Sequence, residues 1–139
     1  MKTSKFLFTE TFDAGAPLRV DSVEIEHIVD TDPDTSYLEQ DYSDCTPQER
    51  AKNKAQDAAR LRGFNQGDWH YVGVRAKAHV SYQCGNGSRR LETFTSGGLW
   101  GIESDSSPEY FEEVEAEQLH DLQQHLKQFR ISFSIPAKV

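Results

Sequence analysis

Two short groups of carboxylates are the residues of this sequence best suited to chemistry. Asp30, Asp32 and Asp34 alternate in one stretch, and Glu103 and Asp105 alternate in another much further along the chain. Grouped carboxylates can hold a divalent cation, or can exchange protons when their surroundings separate their pKa values. A divalent-metal hydrolase or nuclease built on these five side chains is therefore one hypothesis.

The same carboxylates are also typical turn and helix-cap residues, and the sequence favours that interpretation. It contains no HExxH, GxSxG, GxxxxGK[ST] or GxGxxG signature. His70 is the candidate base, whereas His120 and His125 are five residues apart and would point to different sides of a helix. We therefore expect a protein that is not an enzyme and that needs no cofactor.

The stretch DTDPDTSYLEQD, residues 30–41, resembles a calcium-binding loop in the spacing of its acids. Carboxylates occupy its first, third, fifth and twelfth places. The sixth place, where such loops turn sharply on glycine, is Thr35, and Pro33 and Asp41 also depart from the pattern. The spacing therefore predicts a loop of Asx turns rather than a metal site.

Charge is distributed very unevenly in a chain whose net charge is −8. Residues 20–49 contain ten Asp or Glu and no Lys or Arg, residues 50–90 contain nine bases and two acids, and residues 91–126 contain nine acids and no Lys or Arg. In one interpretation the basic middle folds between the acidic flanks and the charges cancel locally. In the other, the acidic segments share one face that attracts a basic partner.

The second interpretation predicts a partner-binding surface formed by residues 96–113 and 30–44. Its members are acidic apart from one tryptophan: Trp100, Glu103, Asp105, Glu109, Glu112, Glu113, Asp30, Asp32, Asp34 and Asp41. Carboxylates at such a surface would imitate phosphates and occupy a nucleic-acid-binding protein. Direct binding of nucleic acid is disfavoured, because the bases are outnumbered and form no compact cluster with interleaved aromatics.

Alternating apolar residues predict the strands of the fold, and caps and glycines predict its helices. Strands are expected at residues 4–12, 18–29, 69–82, 89–95, 99–103 and 130–136, with a tight Asn-Gly turn after Cys84. The expected fold is α+β: a single twisted antiparallel sheet of about five or six strands, with two helices packed on one face.

The first predicted helix begins with a capping box. Thr46 caps free amides, Pro47 suits the first helical position, and Glu49 reaches back to the cap. Gly63 is expected to end this helix, whose apolar stripe consists mostly of alanines. Such a helix lies close against the sheet, or is only lightly anchored and available for assembly.

The second predicted helix is the main cover of the sheet. Ser106 or Ser107 caps it, Pro108 follows, and its buried stripe at helical spacing is Phe111, Val114, Leu119, Leu122, Leu126 and Phe129. His27 falls on the apolar face of the strand at residues 18–29, as a core or edge histidine.

The length of 139 residues predicts one domain spanning residues 1–139. No run of about eighteen apolar residues is available to cross a membrane, and the N-terminal stretch lacks the apolar core of a signal peptide. We therefore expect a cytoplasmic protein in which Cys45 and Cys84 are reduced thiols.

Three strings, DTDPDTSYLEQD, GDWHYVGVRAKA and SGGLWGIESDSSPEY, resemble a family of small, uncharacterised proteins carried by bacteria, their phages and plasmids. The resemblance covers most of residues 30–122 and implies a mobile-element origin, without any catalytic role. Small acidic proteins of that origin often block host machinery, as anti-defence and anti-CRISPR proteins do. The favoured hypothesis is such an inhibitor or modulator, and the alternatives are the metal-dependent hydrolase and a structural or assembly subunit.

Overall fold

The computed structural model describes residues 18–83, 87–129 and 135, together with the backbone of residues 2–8. These residues form an antiparallel sheet and two α-helices, which confirms the predicted α+β class. The strands are β1 (Lys2–Phe8), β2 (Leu18–Val29), β3 (Tyr71–Gln83), β4 (Arg89–Thr95) and β5 (Leu99–Glu103), and the helices are α1 (Pro47–Gln66) and α2 (Pro108–Lys127). Neither described helix is long and apolar enough to cross a membrane.

The sheet follows the order β1-β2-β3-β4, and β5 also pairs with β3. β4 pairs with residues 77–83 of β3 and β5 with residues 71–74, so the two act as halves of one interrupted strand along one edge of β3. Residues 84–86 of the predicted turn at residues 84–87, the end of the first predicted strand at residues 9–12, and most of the predicted strand at residues 130–136 lie outside the described residues.

The break between β4 and β5 is held by hydrogen bonds to α2. The backbone N–H and the hydroxyl of Ser96 both bond the backbone of Ala76, which continues the strand pairing. The same hydroxyl donates to Oε1 of Gln118 at 2.7 Å, and Gly98 N–H donates to that oxygen at 2.9 Å. Residues 96–98 therefore connect β4 to β5 and are hydrogen-bonded to α2.

The core lies between α2 and one face of the sheet. Its sheet side consists of alternate residues of β2 and β3 with one residue of β5: Val20, Val23, Ile25, Val72, Val74, Ala76, Ala78, Val80 and Ile102. On α2 the predicted Val114, Leu119, Leu122 and Leu126 are buried, and Phe111 is partly buried. The prediction is wrong for Phe129, which lies beyond the end of the helix and is 49% exposed.

α1 begins as predicted and ends four residues later than predicted. Both hydrogen bonds of the capping box between Thr46 and Glu49 are present. Gly63 does not end the helix; a Cβ there would lie 3.0 Å from the indole nitrogen of Trp69, so its small size admits that ring. Gly67, at φ +82°, supplies the left-handed cap instead.

α1 does not share the main core with α2. None of its residues is fully buried, and its Leu61 and Phe64 pack against a small cluster of Leu38, Trp69 and Tyr71. Because Tyr71 alternates with the core residue Val72, this cluster lies on the opposite face of the sheet. The prediction that both helices pack on one face is therefore not confirmed.

The cationic side chains on the outer face of β3 are paired with carboxylates of β2. Arg75 Nε lies 2.5 Å and Lys77 Nζ 2.8 Å from the two carboxylate oxygens of Glu26, whose side chain is 0% exposed. His79 Nε2 lies 3.5 Å from a carboxylate oxygen of Glu24 on the same strand as Glu26. In this part of the basic middle segment, the positive charges are therefore offset by neighbouring carboxylates of β2.

Candidate binding surface at the acidic end of the sheet

Three strands meet the two acidic loops at one end of the sheet. β2 ends there at Val29, β3 begins there at Tyr71, and β5 ends there opposite Tyr71 at Glu103. Asp30 N–H donates to the carbonyl of Tyr71 at 2.9 Å, and Ser104 N–H to the carbonyl of His70 at 2.8 Å. The loop after β2 and the turn before α2 are therefore neighbours, although they are far apart in the sequence.

Asp30 joins the loop directly to β5. One of its carboxylate oxygens accepts the N–H of Gly101 at 3.0 Å, and the other accepts the N–H of Asp32 at 3.1 Å. Gly101 has φ +76° where the register of β5 on β3 shifts, which is the geometry of a bulge that opens with glycine. The bulge presents the Gly101 amide to Asp30.

Asx turns organise the rest of the loop, as the sequence predicts. Asp34 accepts the N–H of Ser36 at 2.9 Å, and Asp41 accepts the N–H of Ser43 at 3.1 Å. These hydrogen bonds stabilise the charged forms, so the pKa values of both carboxyls lie below the usual range. Both exposed side chains therefore keep their negative charge at neutral pH.

Glu103 and Asp105 point to the same side, as their spacing predicts, and both bind Arg60 of α1. The Arg60 guanidinium lies 2.8 and 3.0 Å from the two oxygens of Asp105 and 2.9 Å from Glu103 Oε2. The hydrogen bonds from Arg60 are the largest cause that lowers the pKa of Asp105, and they raise the pKa of Arg60. Arg60 therefore offsets one of the two negative charges of these carboxylates.

Two tyrosines complete this contact. Tyr37 donates to Glu103 Oε1 at 2.8 Å, and its hydroxyl is also hydrogen-bonded to that of Tyr71 at 2.6 Å. Burial, followed by these hydrogen bonds, raises the pKa of Tyr37, so it remains a neutral donor. Arg60 also stacks over the ring of Trp69, with its central carbon 4.0 Å from the ring centroid. Sequence reasoning missed these partners of Glu103.

A second group of carboxylates at this end is exposed and without an ion pair to Lys or Arg among the described residues. This group, here called the acidic end, consists of Asp32, Asp34, Glu109, Glu112 and Glu113. The first turns of α2 lie over the end of β2, because His27 bonds Glu115 at 2.8 Å and stacks on Phe111 with centroids 5.3 Å apart. The acidic end therefore contains exposed residues of both acidic segments.

Asp30, Glu103 and Asp105, three of the five carboxylates proposed for a metal site, have other partners. Asp30 accepts two backbone amides, and Glu103 and Asp105 bind one guanidinium. Within the described ranges no group of three or more His, Cys, Asp or Glu side chains is arranged to hold a metal ion. No specific contact therefore favours the metal-dependent hydrolase.

Trp100 lies flat on the face of the sheet opposite α2 and is 45% exposed. A Cβ added to Gly73 would lie 2.1 Å from its six-membered ring, and one added to Gly98 would lie 2.9 Å from its indole nitrogen. Gly73 and Gly98 therefore leave the space that this side chain occupies. Leu99 beside it is also exposed, so this part of the predicted surface is apolar.

Comparison with known proteins finds no family model, curated protein or solved structure that matches this chain. The resemblance of its three strings to proteins of phages and plasmids therefore stays a prediction from the sequence.

The Arg60 contact predicts how stability depends on pH. Because the pKa of Asp105 is lower in the folded protein than the unfolded value of about 3.9, its contribution is present above that value and is lost as pH falls through the folded pKa. We expect Asp105→Asn to lower the free energy of unfolding by about 0.5–1 kcal/mol at neutral pH, with the difference shrinking below pH about 4.

Urea unfolding of both proteins across this pH range measures the effect. The matched control is Asp105→Asn introduced into an Arg60→Gln background, where the pH-dependent difference should disappear. A difference that persists unchanged in that background would show that Arg60 is not its cause.

Proposed function

We propose that the protein is a small acidic binding protein without enzymatic activity, which uses the acidic end to bind and block a basic surface of a nucleic-acid-binding protein. The observation that carries the proposal is that both acidic segments supply exposed carboxylates that form no ion pair with Lys or Arg among the described residues. Such a surface steers a basic partner toward itself and imitates the charge of a nucleic acid.

The internal pairing of Glu103 and Asp105 changes the role of those residues in this proposal. Arg60 holds both side chains, so they shape the turn that leads into α2 and keep one unbalanced negative charge between them. Most of the free charge comes from Asp32 and Asp34 in the loop after β2 and from Glu109, Glu112 and Glu113 in α2. The mobile-element origin and the identity of the blocked host protein belong to the same proposal.

Binding to an arginine-rich peptide, measured by fluorescence anisotropy at two ionic strengths, tests the charge of this surface. We expect the double variant Asp32→Asn/Glu113→Gln to bind about tenfold more weakly than wild type at about 0.01 M salt, where exposed charges act over long distances. At about 0.15 M salt the difference should fall to roughly twofold, because the Debye length is then about 8 Å.

The matched control is Glu92→Gln/Glu117→Gln, which changes the net charge of −8 by the same two units at exposed positions outside residues 30–44 and 96–113. It should bind nearly as well as wild type. Equal losses in the two variants would show that only total charge matters and would contradict a binding surface at the acidic end.

A second candidate function, an assembly subunit, is favoured by the exposure of α1. Its alanine stripe, Ala51, Ala55, Ala58 and Ala59, is exposed over the whole helix. A helix with such a small apolar face can pack closely against another copy. In the same binding experiment, this function would give self-association of the protein and no affinity for the basic peptide.

A further inference from the structure

The exposed face of Trp100 is the feature of this surface that charge alone does not explain. We propose that it binds a cationic side chain of the partner, arginine more strongly than lysine, by stacking on the indole. This inference rests on the proposed function and identifies the side chain that its partner inserts. The ring face of tryptophan carries negative electrostatic potential, and guanidinium groups stack on it more often than ammonium groups.

The backbone around Trp100 is adapted to hold the ring in a fixed position. Gly73 and Gly98 leave the space that the indole fills, and the bulge at Gly101 allows Trp100 to face away from the core while Ile102 enters it. A rigid, half-exposed indole loses little entropy on binding, which is why tryptophan is common at the centre of interfaces.

Charge complementarity selects a cation as the occupant. The carboxylate of Asp30 is fixed at Gly101, one residue from Trp100, and the exposed Asp32 follows it in the loop. Arg75 is the neighbouring cation of this chain, but its Nε is directed to Glu26 at 2.5 Å. A carboxylate is therefore fixed one residue from Trp100, while the neighbouring cation is already paired.

The same protein already contains an arginine bound in this way. Arg60 stacks over Trp69 at 4.0 Å while its guanidinium binds Glu103 and Asp105. Trp69 is 5% exposed, so its ring is occupied internally, whereas Trp100 presents the corresponding combination of indole and nearby carboxylate to the outside. We therefore expect the partner to stack an arginine on Trp100, as Arg60 stacks on Trp69.

Nuclear magnetic resonance of the full chain tests this inference through its two indole N–H signals, which a Trp100→Phe variant assigns. Titration with an arginine-rich peptide should shift the Trp100 signal and leave that of Trp69 in place. A lysine peptide of equal length and charge should cause a smaller shift and bind more weakly. An unmoved Trp100 signal at saturating arginine peptide would overturn the inference.

Affinity for the arginine peptide provides the second readout. Trp100→Ala should weaken binding by about 3- to 30-fold, and Trp100→Phe should retain part of the affinity because phenylalanine is a weaker cation-binding ring. The matched control Leu91→Ala removes an exposed apolar side chain of β4, outside residues 96–113, and should change affinity by no more than about twofold.

The outcomes separate this inference from the function on which it rests. If Trp100→Ala binds like wild type while Asp32→Asn/Glu113→Gln binds weakly, the acidic end is the binding surface and stacking on Trp100 is wrong. If wild type binds neither peptide, both proposals are contradicted.

Discussion

Replacing Glu26 with glutamine is expected to lower the free energy of unfolding by about 3 kcal/mol. Its side chain is fully buried between Arg75 and Lys77, and the neutral amide would leave these two cations without a compensating charge. Both cations keep some exposure and can regain water, which places the loss near the lower end of the range for a broken buried ion pair. Urea unfolding at neutral pH measures it.

Glu39→Gln is the matched control for this substitution. It makes the same chemical change at an exposed position and should alter the free energy of unfolding by less than about 0.5 kcal/mol. Equal stabilities of Glu26→Gln and wild type would show that the two cations are already hydrated and that the buried pairing contributes little.

Replacing Gly73 with alanine should lower the free energy of unfolding by about 2–3 kcal/mol and displace Trp100. The new methyl would lie 2.1 Å from the indole, closer than any real contact, and the neighbouring strands leave the backbone of β3 little freedom to move. Displacement should also appear as a changed Trp100 indole N–H signal and a weaker affinity for the arginine peptide.

Gly97→Ala and a double variant control this experiment. A Cβ at Gly97 would meet nothing closer than 3.8 Å, so that substitution should change stability by less than about 0.5 kcal/mol. In a Trp100→Ala background, Gly73→Ala should lose most of its effect, because the clashing ring is gone. If Gly73→Ala lowers the free energy of unfolding by the same amount in that background, the clash with Trp100 is not the cause of the loss.

Local patterns were sufficient to predict most elements of the fold. Alternation in residues 18–29 gives β2 with its observed bounds, and the capping box at Thr46 gives the start of α1. The features that were predicted wrongly depend on contacts between parts of the chain that are not neighbours in the sequence. A glycine at position 63 is typical of a helix end, and the helix was predicted to stop there. In the structure the absence of a side chain at Gly63 makes room for Trp69, a contact that local propensity does not encode.

The candidate surface could be predicted only in part, because ion pairs depend on contacts between distant segments. The charges of residues 30–34 and 103–105 do meet at one end of the sheet. Nothing in the local sequence of α1 distinguishes Arg60 from its neighbour Arg62, so the pairing with Glu103 and Asp105 could not be foreseen. The sequence of β3 alone likewise does not show that Glu26 of β2 pairs with both Arg75 and Lys77.

The most direct measurement is the affinity for the arginine-rich peptide of wild type, Asp32→Asn/Glu113→Gln and Glu92→Gln/Glu117→Gln at low salt. If the acidic end binds the partner, the first variant loses about tenfold in affinity and the second stays close to wild type. Equal affinities of the two variants, or no binding by wild type, would contradict the account.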